Sequence, residues 1–166
     1  ARLEGARRRW LGARWEGARR DAAVAVTRRR GNGPEFLAGG DVAWFHANLP
    51  TLPAMVEELA AELHHAIVAL RDAAKPVLAS VHGAVAGAGV SLLAAADLAI
   101  AGADTKFTLA YSRIAASPDG GSTYFLPRIV GTRKALELMM LADTFDAATA
   151  LDLGLVNWVV TDADLA

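Results

Sequence analysis

From about residue 22 to the end of the chain, short apolar runs alternate with longer amphipathic ones. Ala22 to Thr27 (Ala-Ala-Val-Ala-Val-Thr) reads as a short buried strand. Arg28 to Glu35 is charged and contains glycine and proline, which predicts a loop. Thr51 suits an N-cap, with Pro53 in the first helical turn. Leu52, Met55, Val56, Leu59, Leu63, Ile67 and Leu70 then mark one helical face, ending before Lys75-Pro76. Val77 to Val81 predicts a strand, Val90 to Ala95 a helix and Asp97 to Ala101 another strand. Residues 105–121 read as irregular and contain the loop Ser117-Pro118-Asp119-Gly120-Gly121. Ser122 to Val130 reads as helical despite Pro127. Thr132 to Ala142 is a stronger helix, with Leu136, Met139 and Met140 on one face. Ala147 to Leu153 is a short helix stopped by Gly154, and Leu155 to Val160 a final strand. Strands alternating with helices predict an α/β fold with crossover connections.

Length and composition narrow this picture. The 166 residues suffice for one domain with a real core. Hydrophobic residues make up 54% and charged residues 21%, a globular balance slightly rich in apolar side chains. Either a subunit interface or an alanine-rich core accounts for the surplus. There is no cysteine, which excludes a disulfide framework and a thiolate site and fits a cytoplasmic enzyme. No apolar run approaches the roughly 20 residues of a membrane span. Four scattered histidines without an HExxH pattern give no expectation of a metal site.

Charge is unevenly spread. Residues 1–30 hold ten arginines against Glu4, Glu16 and Asp21, a net +7 that leaves −8 on the remainder. Residues 1–21 therefore read as a basic N-terminal arm, and residues 22–166 as the core. Such an arm suits nucleic acid, anionic lipid or a phosphate-rich cofactor, and equally a solvated face or sequence outside the fold. An Arg-rich, acid-poor start also suits a transit peptide, but this one has no serine and carries Gly5, Gly12 and Gly17.

Two small-residue turns carry the chemistry. The first is Phe36-Leu37-Ala38-Gly39-Gly40-Asp41; the second is Gly83-Ala84-Val85-Ala86-Gly87-Ala88-Gly89, after a strand and before a helix. Two such turns can aim two backbone N–H groups at one oxygen, the arrangement of an oxyanion hole. The second turn alone is equally consistent with close helix–strand packing. Its spacing is not G-x-G-x-x-G, and no Gly-Lys-Ser/Thr is present, so neither a dinucleotide loop nor a P-loop is indicated.

Both turns, in this order, resemble those of the crotonase family of enoyl-CoA hydratases and isomerases. Lys75-Pro76-Val77-Leu78-Ala79-Ser80-Val81-His82-Gly83 resembles the family's strand into its second glycine turn, and Asp97-Leu98-Ala99-Ile100-Ala101 the strand that follows. Ser117 to Thr123 followed by Leu126-Pro127-Arg128-Ile129-Val130-Gly131 is similar to the loop and helix of the isomerase branch. Ala147 to Val160 resembles a later helix and strand; together the likeness covers about residues 13–166.

The resemblance implies a spiral of ββα units binding an acyl-coenzyme A thioester, with the N–H groups of Gly40 and Ala88 as the oxyanion hole. Ala38, Gly39, Asp41, Gly87 and Tyr111 are the implied substrate-binding positions, although Asp41 also suits an ordering role in its turn. The two glutamates that handle water in hydratases fall on Ser91 and Tyr111 here, which argues against ordinary hydration. Asp119 is the remaining acid, expected as acid/base, in a Pro-Asp-Gly-Gly stretch that is also simply a good turn. Ser91 reads as a packing residue and His82 as structural; His64 and His65 sit on the long helix, where a solvated position is the ordinary one.

Coenzyme A arrives as part of the substrate, so no separate cofactor is expected. The family pattern implies a homo-oligomer, trimer or hexamer; neither nucleic acid nor membrane is an expected partner. The leading expectation is a thioester isomerase. The alternatives are a hydratase, or a non-catalytic module holding acyl-CoA or RNA. Two departures stand out: the insertion-like Arg28-Arg29-Arg30 before the first turn, and an end at Asp164-Leu165-Ala166 where the family continues into C-terminal helices.

Overall fold

Val77–Val81 and Leu98–Gly102 are apolar along nearly their whole length, the signature of strands covered on both faces. They pair in parallel at the centre of a four-stranded sheet. The computed structural model describes residues 27–31 and 33–165. The basic arm and residues 22–26 of the first expected strand lie outside the described residues.

The elements in chain order are β1 (Thr27–Arg30), α1 (Val42–Ala47), a 3-10 turn (Leu49–Thr51), α2 (Leu52–Arg71), β2 (Val77–Val81), β3 (Ala84–Ala86), α3 (Ala88–Ala94), β4 (Leu98–Gly102), β5 (Lys106–Thr108), a second 3-10 turn (Tyr111–Ile114), α4 (Ser122–Ile129), α5 (Thr132–Leu141), β6 (Phe145–Asp146), α6 (Ala147–Asp152) and β7 (Trp158–Val160). The first sheet has the order β1-β2-β4-β7, all parallel. The second has the order β3-β5-β6, with β3 and β5 parallel and β6 antiparallel. Leu37 extends the second sheet through a parallel bridge to Val85.

A repeat follows from this topology. The chain places β1 in the first sheet and Leu37 in the second, then runs through α1 and α2. It then places β2 and β3 and turns through α3, and afterwards places β4 and β5. This is the expected spiral of ββα units. Val81, Val85, Val90, Leu93, Phe107, Leu109 and Leu126 fill the main core. A smaller cluster joins Ile67 and Leu70 of α2 to Val77 and Ala95. Asp97 ties this corner together, accepting from Val77 N at 2.8 Å and from Arg71 Nη1 at 2.9 Å.

Several expectations need correction. Arg28–Arg30 form strand rather than loop or insertion, because parallel pairing with Leu78–Ser80 satisfies their backbone. Residues 105–121 are not wholly irregular; β5 was hidden because three residues are too few to display a strand period. Ala84–Ala86, inside the second glycine turn, is likewise strand β3. On α5 the buried residues are Ala135, Leu138 and Met139, while Leu136 is 46% and Met140 68% exposed. Residues 135, 138 and 139 have the same helical spacing as 136, 139 and 140, so periodicity alone cannot choose between adjacent strips. On α2 only Ile67 and Leu70 are buried, because only its C-terminal part packs on the smaller cluster.

Candidate active site

The first turn leaves the second sheet beside β3. Leu37 N donates to Ala84 O at 3.3 Å, and Ala86 N donates to Leu37 O at 2.8 Å. The chain then swings through Ala38, Gly39 and Gly40 into α1, whose N-cap is Asp41: its Oδ1 accepts from Trp44 N at 2.9 Å. Asp41 thus has the ordering geometry that its turn position suggested.

The second turn is held against the first by a lack of side chains. A Cβ on Gly89 would lie 2.3 Å from Leu37 O, so only glycine lets α3 start this close to the first loop. Gly87 has φ +51°, donates its N–H to Thr108 O at 3.0 Å and accepts at its carbonyl from Val90 N and Ser91 N. A Cβ there would meet Gly39 Cα at 3.8 Å and Tyr111 Cζ at 4.0 Å. Gly87 therefore stands between the first loop and the segment carrying Tyr111. Ala88, which follows it, is half-buried, and Gly40, which follows Gly39, is exposed. No hydrogen bond to a described residue takes up the N–H of either.

The side-chain part of the site lies next to this hub. Tyr111 is buried, and its hydroxyl donates to Asp119 Oδ1 at 2.6 Å. Burial and then this hydrogen bond push the phenol well above its ordinary pKa, so it stays protonated. Ser91, fully buried on α3, lies 3.1 Å from Tyr111 Oη and 3.0 Å from the Asp119 carbonyl oxygen. That carbonyl also accepts from Ser122 Oγ at 2.8 Å and Ser122 N at 3.0 Å. The loop is pressed inward at Gly120, where a Cβ would lie 2.8 Å from Ser91 Cβ and 3.1 Å from Leu63 Cδ2.

The two positions where the resemblance expects hydratase glutamates thus hold hydroxyls, Tyr111 against the Asp119 carboxylate and Ser91 against its main-chain carbonyl. A carboxylate at 111 would place like charges together. Ser122 and the bonding role of Ser91 escaped the sequence reading. For Ser91 the signal is a lone hydroxyl in an apolar stretch, Gly89-Val90-Ser91-Leu92-Leu93, which needs a partner once buried. His64 and His65 are exposed on α2. His82 Nε2 lies 2.8 Å from Gly33 O, a structural contact. Among the described residues no cluster of three histidine, aspartate or glutamate side chains is placed to hold a metal, and no helix is long and apolar enough to cross a membrane.

The profile of the family described as "Enoyl-CoA hydratase/isomerase" matches residues 12–166. The chain belongs to the enoyl-CoA hydratase/isomerase family. A family member from Rhodobacter capsulatus, named "Probable enoyl-CoA hydratase", is 37% identical over 163 residues, covering 98% of this chain and 61% of that protein. The 1,2-epoxyphenylacetyl-CoA isomerase of Escherichia coli is 34% identical over 149 residues, covering 89% of this chain and 56% of the isomerase. A solved enoyl-CoA hydratase from Polaromonas sp. JS666 superposes with a TM-score of 0.84 at 35% identity, over 92% of this chain and 59% of the other. The architecture is the crotonase fold of the family. The chain spans about three-fifths of the length of the relatives it matches.

Proposed function

We propose that this chain carries the site of an acyl-CoA thioester isomerase, with Gly40 and Ala88 as oxyanion donors and Asp119 as acid and base. In this reading Asp119 takes a proton from the carbon alpha to the thioester. The electron pair moves into the carbonyl, and the resulting enolate-like oxygen lies between the two N–H groups. Asp119 then returns the proton to the gamma carbon, which shifts the double bond and restores the carboxylate. Backbone donors suit this task because they are fixed before charge develops. An epoxide or ring isomerisation would use the same stabilised oxygen.

The observation that carries the reading is the position of Gly87, against Gly39 on one side and the ring of Tyr111 on the other. The loop that leads into Gly40, the start of α3 at Ala88 and the Tyr111–Asp119 pair thus adjoin one residue, which supports the reading. The isomerase named among the relatives supports the same choice. Enoyl-CoA and epoxy-acyl-CoA substrates, offered to the wild-type chain and to Asp119→Asn, provide the test. Isomerisation that falls about 10²–10⁴-fold in the variant is the expected result. An unchanged rate rejects Asp119 as the base.

A second reading, hydration, is favoured by the hydratase names of other relatives. Water addition to crotonyl-CoA separates the two. We further propose a cytoplasmic enzyme assembled as a trimer or hexamer, with the acyl-CoA as its partner molecule; sedimentation of the purified chain tests the assembly.

A further inference from the structure

Tyr111 was expected to bind substrate, yet its hydroxyl is turned to Asp119. Three short contacts link Tyr111, Ser91 and Asp119, and only two hydroxyl hydrogens serve them. An ionised carboxylate only accepts, so the 2.6 Å contact fixes the phenolic hydrogen on Asp119 Oδ1. The Ser91 hydrogen then has two acceptors, the Tyr111 oxygen and the Asp119 carbonyl, and either leaves Tyr111 donating to the acid. The main chain of Asp119 is held as firmly, since its carbonyl accepts from Ser122 Oγ and Ser122 N and lies within reach of Ser91 Oγ. Oδ2 has no hydrogen bond to any described residue.

The backbone around Tyr111 adds a second, independent observation. Its 3-10 turn lies between Ala110 at φ +48° and Ala115 at φ +54°, both in the left-handed region that alanine avoids. Two unfavourable residues bracket the segment that aims this one side chain.

We propose that Tyr111 is a positioning residue for Asp119, anchored by Ser91, which fixes Oδ1 and leaves Oδ2 as the oxygen that exchanges the proton with substrate. The inference rests on the isomerase reading, in which Asp119 is the base. Tyr111 contributes through the angle and fixity of the carboxylate and transfers no proton itself. Its phenol therefore has to stay protonated, and burial beside a carboxylate ensures that.

The test compares Tyr111→Phe, Ser91→Ala and Asp119→Asn in the full chain with an enoyl-CoA substrate, reading kcat, KM and the exchange of the alpha proton in deuterated water. Tyr111→Phe keeps the ring and loses one bond; kcat and the exchange rate should fall together about 10–100-fold, with KM nearly unchanged. Ser91→Ala should give a smaller loss of the same kind. A raised KM with unchanged kcat in Tyr111→Phe would instead assign Tyr111 to substrate binding and overturn the proposal. So would unchanged kcat and KM in Tyr111→Phe alongside an inactive Asp119→Asn. If Asp119→Asn itself keeps full activity, the isomerase reading fails first, and that outcome is distinct. A proton NMR spectrum gives a readout independent of turnover. The phenolic hydrogen should resonate far downfield in the wild-type chain and vanish in both Tyr111→Phe and Asp119→Asn; its absence from the wild type also overturns the proposal.

Discussion

The glycine loops and the acid cluster adjoin one another but are built by opposite means. Around Gly39, Gly87 and Gly89, the candidate site is made by leaving side chains out, so that backbone approaches backbone. Around Ser91, Tyr111, Asp119 and Ser122, it is made by side chains that fix one another through hydrogen bonds. Under the proposed function, the first region sets what charge can be stabilised and the second sets which proton moves. Under the same proposal the loops and the proton chemistry are separable, because backbone donors do not depend on the side chains at 91, 111 and 119.

The two regions should fail in different ways. The largest effect belongs to the cluster. Combining Asp119→Asn with Tyr111→Phe should reduce kcat no further than Asp119→Asn alone, about 10²–10⁴-fold, because a residue acting through Asp119 has nothing left to position. Losses that multiply would break the cluster into two independent contributors. Next is the loop region, where Gly89→Ala forces a methyl group toward Leu37 O. Overpacking of this kind should cost about 1–3 kcal/mol of stability. Activity should fall with it through misplaced donors, measured by denaturant unfolding alongside turnover. Wild-type stability in that variant would show that close approach at Gly89 does not fix the loops.

The smallest effect serves as a control remote from both regions. Asp146 caps α6, accepting from Thr149 N at 2.9 Å, and its hydrogen bonds to the Thr149 backbone and side chain lower its pKa. A lowered folded-state pKa means that the contribution is present above the ordinary carboxylate range and is lost as pH falls through the lowered value. Asp146→Ala should therefore lower the melting temperature slightly at neutral pH and not at all in strong acid, with kcat unchanged. A large change in kcat would show that the site is coupled to α6.

How much was legible in the sequence follows the same division. The apolar runs at 77–81 and 98–101 announced their strands because parallel pairing buries both faces. The small-residue turns were visible because close backbone approach demands glycine in the sequence itself. Asp119 was visible in its Pro-Asp-Gly-Gly turn, but its partner was not. Nothing in Ala110 or Ala115 announces a left-handed backbone, yet that backbone aims Tyr111 at an acid eight residues away. The strand at Thr27–Arg30 was obscured for a related reason: its pairing with β2 is a long-range choice that local charge did not disclose.

If both regions act on one thioester, a crystal structure of the chain with an unreactive acyl-CoA analogue will show it. The thioester oxygen should lie about 3 Å from both Gly40 N and Ala88 N, with Asp119 Oδ2 the nearest carboxylate oxygen to the alpha carbon and Oδ1 still held by Tyr111. A thioester oxygen away from either N–H, or an alpha carbon out of reach of Asp119, would contradict it.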